Sequence, residues 1–137
     1  MGKLVLTNAL VLLNGVDLSD HVKQVSVNYS ADEVDSTTMG VGAKSRLGGL
    51  KDWTLDVTFA QDYALASVDA TLFPLVGTTF TVEVRPTGAA RSATNPSYLG
   101  TGILGTYTPM SQAVGALNEA TVKISCANGV ALSRAIA

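Results

Sequence analysis

The sequence predicts a mainly β fold, with about six or seven strands and one flanking α-helix. Residues 22–38 and 51–61 each alternate apolar with polar side chains, as a half-buried hairpin requires. Residues 62–73 switch to a helical period, and strand-like alternation returns at Phe80, Val82 and Val84. The 137 residues form a single domain, 1–137, large enough to bury a core.

The chain opens with Lys3 and an apolar run over 4–13, which resembles an export signal. Thr7 and Asn8 interrupt the run, and it ends at Asn14-Gly15 where a small-residue cleavage site would be needed. We read it as an N-terminal arm and a first strand. Met1-Gly2 begins an acylation motif that fails at Leu6. Residues 16–21 then place Ser19, Asp20 and His21 side by side. Neighbouring side chains on a strand diverge, whereas a catalytic triad converges from separate segments, so this is a polar turn in which Asp17 or Ser19 bonds local amides.

In the hairpin, Val25, Val27, Tyr29 and Ala31 oppose Gln24, Ser26, Asn28, Ser30 and Asp32. In the second arm Trp53, Leu55, Val57 and Phe59 oppose Asp52, Thr54, Asp56 and Thr58. Each arm therefore has one dry face and one wet face. Asp32, Glu33 and Asp35 lack the spacing and glycine of a calcium loop. The connection over 39–50 holds Gly40, Gly42, Gly48 and Gly49 with Lys44 and Arg46. Hairpin loops usually run about 2–5 residues, so this length points to contact with a partner.

After the hairpin, Leu65, Val68 and Leu72 fall at helical spacing, Asp62 is placed to cap, and Phe73-Pro74 ends a helix of about ten residues. Phe80, Val82 and Val84 restore a strand period until Arg85-Pro86, and 87–97 reads as a small, polar, exposed loop. Within 98–108, Gly100-Thr-Gly-Ile-Leu-Gly105 matches a dinucleotide-binding string. Here β-branched and aromatic residues continue through it, where that fold needs a helix to begin. Gly100 and Gly102 share a strand face and allow close approach of another backbone. Residues 120–127 form the last long strand, with Lys123 on its wet face and Cys126 as a buried thiol on the dry one. Residues 130–134 are an extended tail. No cofactor or metal pattern is present in the sequence.

Composition narrows function. Hydrophobic residues make up 47% of the chain, and the mean hydropathy of +0.30 leaves few polar groups for the surface, which points to buried subunit interfaces. Nine Lys plus Arg against eleven Asp plus Glu exclude a nucleic-acid binder that depends on counterion release.

Several stretches together resemble the major tail tube protein of long-tailed, siphovirus-like bacteriophages. They are 14–20, 30–40, Gly49-Leu-Lys-Asp-Trp53, Gln61-Asp62-Tyr63, Arg85-Pro86 and Asn95-Pro-Ser-Tyr98, spread over most of the chain. The resemblance implies a β-sandwich subunit with a flanking helix that contributes strands to an oligomeric β-barrel tube. It further implies stacked hexameric rings that conduct genomic DNA, located in the virion tail and made in the host bacterial cytoplasm. Implied partners are further copies of the chain, a tape measure protein in the lumen, tail tip and terminator proteins, and double-stranded DNA in transit, with no membrane insertion. On this reading Gly40, Lys44, Arg46, Gly48 and Gly49 are inter-subunit loop positions, and Asp32, Asp52, Asp56 and Lys123 face the lumen. The alternative is a monomeric β-sandwich module binding carbohydrate or a receptor. Such a module needs exposed aromatics, yet Tyr63, Tyr98 and Tyr107 are scattered and Trp53 lies in the apolar alternation. An enzyme has no constellation to rest on.

Overall fold

The computed structural model describes residues 3–137, so Met1 and Gly2 of the failed acylation motif lie outside the described residues. In chain order the elements are β1 (Leu10–Leu13), β2 (Val16–Asp17), β3 (Val22–Asp35), β4 (Arg46–Ala60), α1 (Val68–Leu72), β5 (Thr79–Arg85), β6 (Ser97–Thr108), β7 (Glu119–Cys126) and β8 (Ser133–Ala135). All strand pairings are antiparallel, in the order β2-β1-β5-β6-β7-β4-β3, with β8 also on β6. The predicted mainly β fold is present. The strands beyond the predicted number are β2 and β8, too short to show a period.

The sheet curls over itself, so that Val27, Trp53 and Leu55 line the same crevice as Val82, Val84 and Tyr98. β6 makes the corner. Its first part pairs with β5 up to Ile103, and its last part pairs with β7 from Gly102 to Thr108. Gly105 is an extra residue between Leu104 and Thr106, and the bulge turns both Leu104 and Tyr107 toward the apolar side. Val68 and Leu72 of α1 complete the core with Trp53, Phe59 and Ile124.

Trp53 is 1% exposed and its indole lies over Gly100 and Gly102. A Cβ at Gly100 would fall 2.6 Å from Trp53 Cζ2. One at Gly102 would fall 2.5 Å from Ile124 Cγ2 and 2.9 Å from Trp53 Cη2. The glycine pair does admit a close approach, but chiefly of an aromatic ring where the sequence suggested a backbone. Trp53 Nε1 donates to the Val130 carbonyl at 3.1 Å, which ties the C-terminal tail to the core.

Three local expectations are corrected. The helix is half the predicted length: Ala66 sits at φ 59 and Leu65 is 96% exposed, because a hydrogen-bonded turn at Asp62 and Ala64 occupies the segment where the first turn was expected. Asp62 therefore does not cap α1; Ser67 precedes it. Cys126 is half-buried, with Sγ 3.1 Å from the Val130 carbonyl. Finally, the 87–97 loop is exposed only in part: its end folds back onto the sheet, leaving Asn95 and Ser97 buried.

Glu83 is the reason for that last departure. Its carboxylate accepts from Arg85 Nε at 2.6 Å, Arg91 Nη2 at 2.8 Å and Ser97 Oγ at 3.0 Å. Asn95 donates to the carbonyls of Ala89 and Ala90, closing the loop. Burial pushes the Glu83 carboxyl up, but the hydrogen bonds from Arg91, Arg85 and Ser97 outweigh it and hold the group below its ordinary 4.5.

Two predictions follow from these contacts. Gly102→Ala should cost about 1–3 kcal/mol in urea denaturation through overpacking, while Gly105→Ala, with open space around the new methyl, should change stability by less than about 1 kcal/mol. A depressed carboxyl stabilises the fold fully above its unfolded pKa and loses that contribution as pH falls through the folded one. Wild type should therefore lose more stability than Glu83→Gln between about pH 5 and pH 3, and the variant should start about 1–3 kcal/mol lower at neutral pH. Parallel pH–stability curves would contradict this.

Candidate functional site

Across β3, β4, β7 and β6 the side chains form rows. Gln24, Thr58, Thr121 and Thr108 align, as do Ser26, Asp56, Lys123 and Thr106, and likewise Asn28, Thr54 and Ser125. These residues share the face opposite Trp53, Leu55 and Val57, since successive strand residues alternate sides. Asp52 pairs with Ser30 on the same face, and β3 carries the alternation on to Asp32. Asp32, Asp52, Asp56 and Lys123 thus lie on one surface of hydroxyls, amides and few charges, with Asp56 and Lys123 as direct cross-strand partners.

The predicted loop positions divide. Gly40 and Lys44 lie in the connection, but Arg46, Gly48 and Gly49 are inside β4, because the ladder continues to Asp35↔Arg46. Ser36 N donates to the Ser45 carbonyl at 2.9 Å, and Ser45 N donates to Thr37 Oγ1 at 2.8 Å, sealing the neck. The Thr37 amide donates to Asp35 Oδ1, and hydrogen bonds from the Thr37 side chain and backbone lower the Asp35 pKa. The sequence reading stopped short because a bulge sets Gly49 and Leu50 against Asp32 alone and breaks the alternation. A Cβ on Gly49 would lie 3.1 Å from that of Asp32. Past the bulge, Val34 faces Leu47 on the polar side of the ribbon, and Val34, Leu47 and Leu50 are 52%, 62% and 81% exposed. This apolar end of the wet face was not foreseen; Val34 and Leu47 at the edge of a glycine-rich run were its only signal.

Two of the open strand edges among the described residues bound the four-stranded unit β3-β4-β7-β6. β3 ends the sheet order, and its outer edge is unpaired. At the other end, β6 past Leu104 pairs with β7 alone. Beside this second edge Tyr107 Oη donates to Asp69 at 2.8 Å and accepts from Gln61 at 3.0 Å, fixing α1 against β6. Burial, reinforced by the Asp69 carboxylate against the opposing Gln61 bond, pushes the Tyr107 pKa up to about 12, so the phenol stays a donor.

The serine, aspartate and histidine noted in the polar turn do not converge. Ser19 bonds Asp17 and the Val11 amide, as a local turn should. His21 Nε2 lies 3.1 Å from Ser67 Oγ and 3.6 Å from both Asp20 and Asp62. All three partners meet the same ring nitrogen, whereas a relay needs serine and carboxylate on opposite ones. The Asp62 pKa is lowered, first by the Ala64 amide and then by the Ser67 hydroxyl. No group of three His, Cys, Asp or Glu among the described residues could hold a metal. No described helix is long and apolar enough to cross a membrane. Trp53, the largest aromatic, is buried and offers no stacking platform.

The same overall fold occurs in solved structures. The chain superposes on a chain from the virion of a native gene transfer agent particle with TM-score 0.70 and 11% identity, covering 92% of this chain and 95% of that one. It superposes equally on a chain from the tail of an empty gene transfer agent particle, solved with C6 symmetry: TM-score 0.71, 12% identity, 92% and 96% covered. The chain shares its fold with these two particle chains. No protein-family model and no curated protein matches the sequence.

In this fold the distal ribbon, residues 29–35 with 46–52, is exposed along its length. Two strands without a covering layer are marginal in water. Hydrogen exchange of the isolated subunit should therefore be faster for amides in 30–35 and 46–51 than in 24–28 and 54–58, by about tenfold or more. Uniform protection along the hairpin would show that the ribbon is stable unaided.

Proposed function

We propose that the chain is a tail tube subunit, six copies closing into a ring and rings stacking into a tube whose lumen conducts genomic DNA. The observation that carries this is strand direction. β3, β4, β7 and β6 run alternately up and down, so the open β3 edge of one copy meets the open β6 edge of the next in antiparallel sense. An even number of alternating strands per copy lets the sheet close without a parallel mismatch. The C6 symmetry of the matched gene transfer agent tail supports the number.

Four strands from each of six copies make a barrel of about 24 strands, roughly 45–50 Å across its backbone. Side chains reduce the bore to about 35–40 Å, wider than a duplex. The face of Asp32, Asp52, Asp56 and Lys123 lines this bore with hydroxyls and a slight negative excess, chemistry that does not hold phosphates. The connection bearing Gly40 and Lys44, with Arg46, Gly48 and Gly49 in its stem, reaches a neighbouring copy or ring, which covers Val34, Leu47 and Leu50. Further partners on this reading are a tape measure protein in the lumen and tip and terminator proteins at the ends. The subunit is made in the host cytoplasm, ends in the virion tail, has no catalytic role and does not enter a membrane.

Purified protein should form rings or tubes of six-fold symmetry by electron microscopy, at high concentration or with a tail-tip initiator. A monodisperse monomer under all such conditions would overturn the reading. Asp56→Lys should leave the tubes intact but slow DNA ejection at low salt, with the defect shrinking as salt rises, since closely spaced cations would take phosphates by counterion release. Unchanged low-salt ejection through intact tubes would remove Asp56 from the lumen.

A further inference from the structure

The apolar side of the sheet carries an open groove of about 410 Å³, lined by Val27, Tyr29, Tyr98, Leu132, Ser133 and Arg134. It opens at the outer edge of β3, where Tyr29 is 46% exposed and nothing from the same chain covers the strand. At the opposite end of the four-stranded unit, the turn after α1 presents Phe73, 70% exposed, and Val76, 46% exposed. This knob belongs to the same apolar side, because Val68 and Leu72 of the preceding turn enter the core. It is held beside the open β6 edge by the Val76–Leu104 bridge and the Tyr107–Asp69 hydrogen bond.

We infer that the Phe73 knob of one copy seats in the Tyr29–Leu132 groove of the next. The inference rests on the tube reading, which sets the β6 edge of one copy against the β3 edge of its neighbour. That juxtaposition brings the knob over the groove on the outer layer of the wall. Size fits, since a cavity of about 150 Å³ already holds a benzene ring. Charge fits as well. Arg134 lines the groove and Lys51 lines the adjoining hollow beside Tyr29, and neither takes part in an ion pair among the described residues. Asp69 lies one helical turn before Phe73, whose amide donates to its carbonyl. A positively charged groove edge thus meets a knob whose helix carries a carboxylate. The contact gives the ring a second, apolar layer of closure outside the strand pairing and covers Val27 and Tyr29 in the assembly.

The test uses the full chain with Cys126→Ser, so that introduced thiols are the only ones. Protein carrying Phe73→Cys is mixed with protein carrying Tyr29→Cys under assembling conditions and oxidised gently. A disulfide-linked dimer joining 73 to 29, identified by peptide mass spectrometry, should exceed any link in either variant alone by tenfold or more. The doubly substituted chain should give a ladder of linked species ending at the closed ring. In parallel, Phe73→Ser should keep the wild-type melting temperature, as expected for an exposed side chain, yet need about tenfold more protein to assemble. Rings or tubes that form with no 73–29 link, or with undiminished assembly of Phe73→Ser, would overturn this inference and leave the tube reading standing. Absence of any ring or tube from the parent protein would overturn the tube reading and this inference with it.

Discussion

Trp53 decides which way the hairpin faces. A strand slipped by one residue would send every side chain to the opposite surface, so whatever locks one residue of β4 locks them all. The indole fits against the sheet only where Gly100 and Gly102 leave room, and its Nε1 proton finds the Val130 carbonyl there. With Trp53 in that site, Leu55, Val57 and Phe59 must enter the core, and Asp52, Thr54, Asp56 and Thr58 must face out. The polar wall is therefore a consequence of a packing contact on the other side of the sheet. The glycines that make the contact possible are the same ones that imitate a nucleotide-binding string.

The body around Trp53 is complete, with buried apolar residues from β1, β4, β5, β6, β7 and α1. Its surface is less complete. A long unpaired strand edge invites association, and soluble monomers usually blunt it with charge, proline or a covering loop. β3 has none of these along Val25 to Tyr29 apart from its polar outer face. Two unlike open edges on one subunit give head-to-tail contacts, which close into rings where the rotation permits and continue as filaments where it does not. A stable core carrying an unfinished rim suits a chain that folds first and assembles second.

The two faces of the hairpin, the apolar strand of β5 and the single helix were legible because each repeats a simple period over several residues. Legibility failed where a single residue breaks the period. Gly49-Leu50 against Asp32 shifts the register, so Arg46, Gly48 and Gly49 read as loop although they lie inside β4. Ala66 at positive φ shortens a helix whose spacing at Leu65, Val68 and Leu72 looked continuous. The 87–97 loop read as exposed because its residues are small and polar. The burial of its end depends on Glu83, Arg85, Arg91 and Ser97 meeting in space, and no sequence period encodes that convergence. Asp52, Asp56 and Lys123 of the polar face were legible because they lie within regular stretches of strand.

On the tube reading, the wall works more by what it lacks than by the field it creates. A duplex centred in a bore of about 35–40 Å stands off from the wall by a distance comparable to the Debye length of about 8 Å at physiological salt, so three carboxylates per copy repel it only weakly. A few exposed cations would matter much more, because each phosphate they met would release a condensed counterion, and the effect would repeat around the ring. The aligned rows have one, Lys123, and the sheet sets Asp56 directly opposite it, with Ser26 and Thr106 completing the row. Of the other cations of the hairpin strands, Lys51 is paired with Ala31 on the apolar side, Arg46 is turned to Glu33 at 3.5 Å, and Lys23 at the margin of the face meets Glu119 at 3.3 Å. The register that buries Trp53 therefore also sorts the charges, leaving rows of threonine and serine hydroxyls in which each cation has a carboxylate beside or across from it.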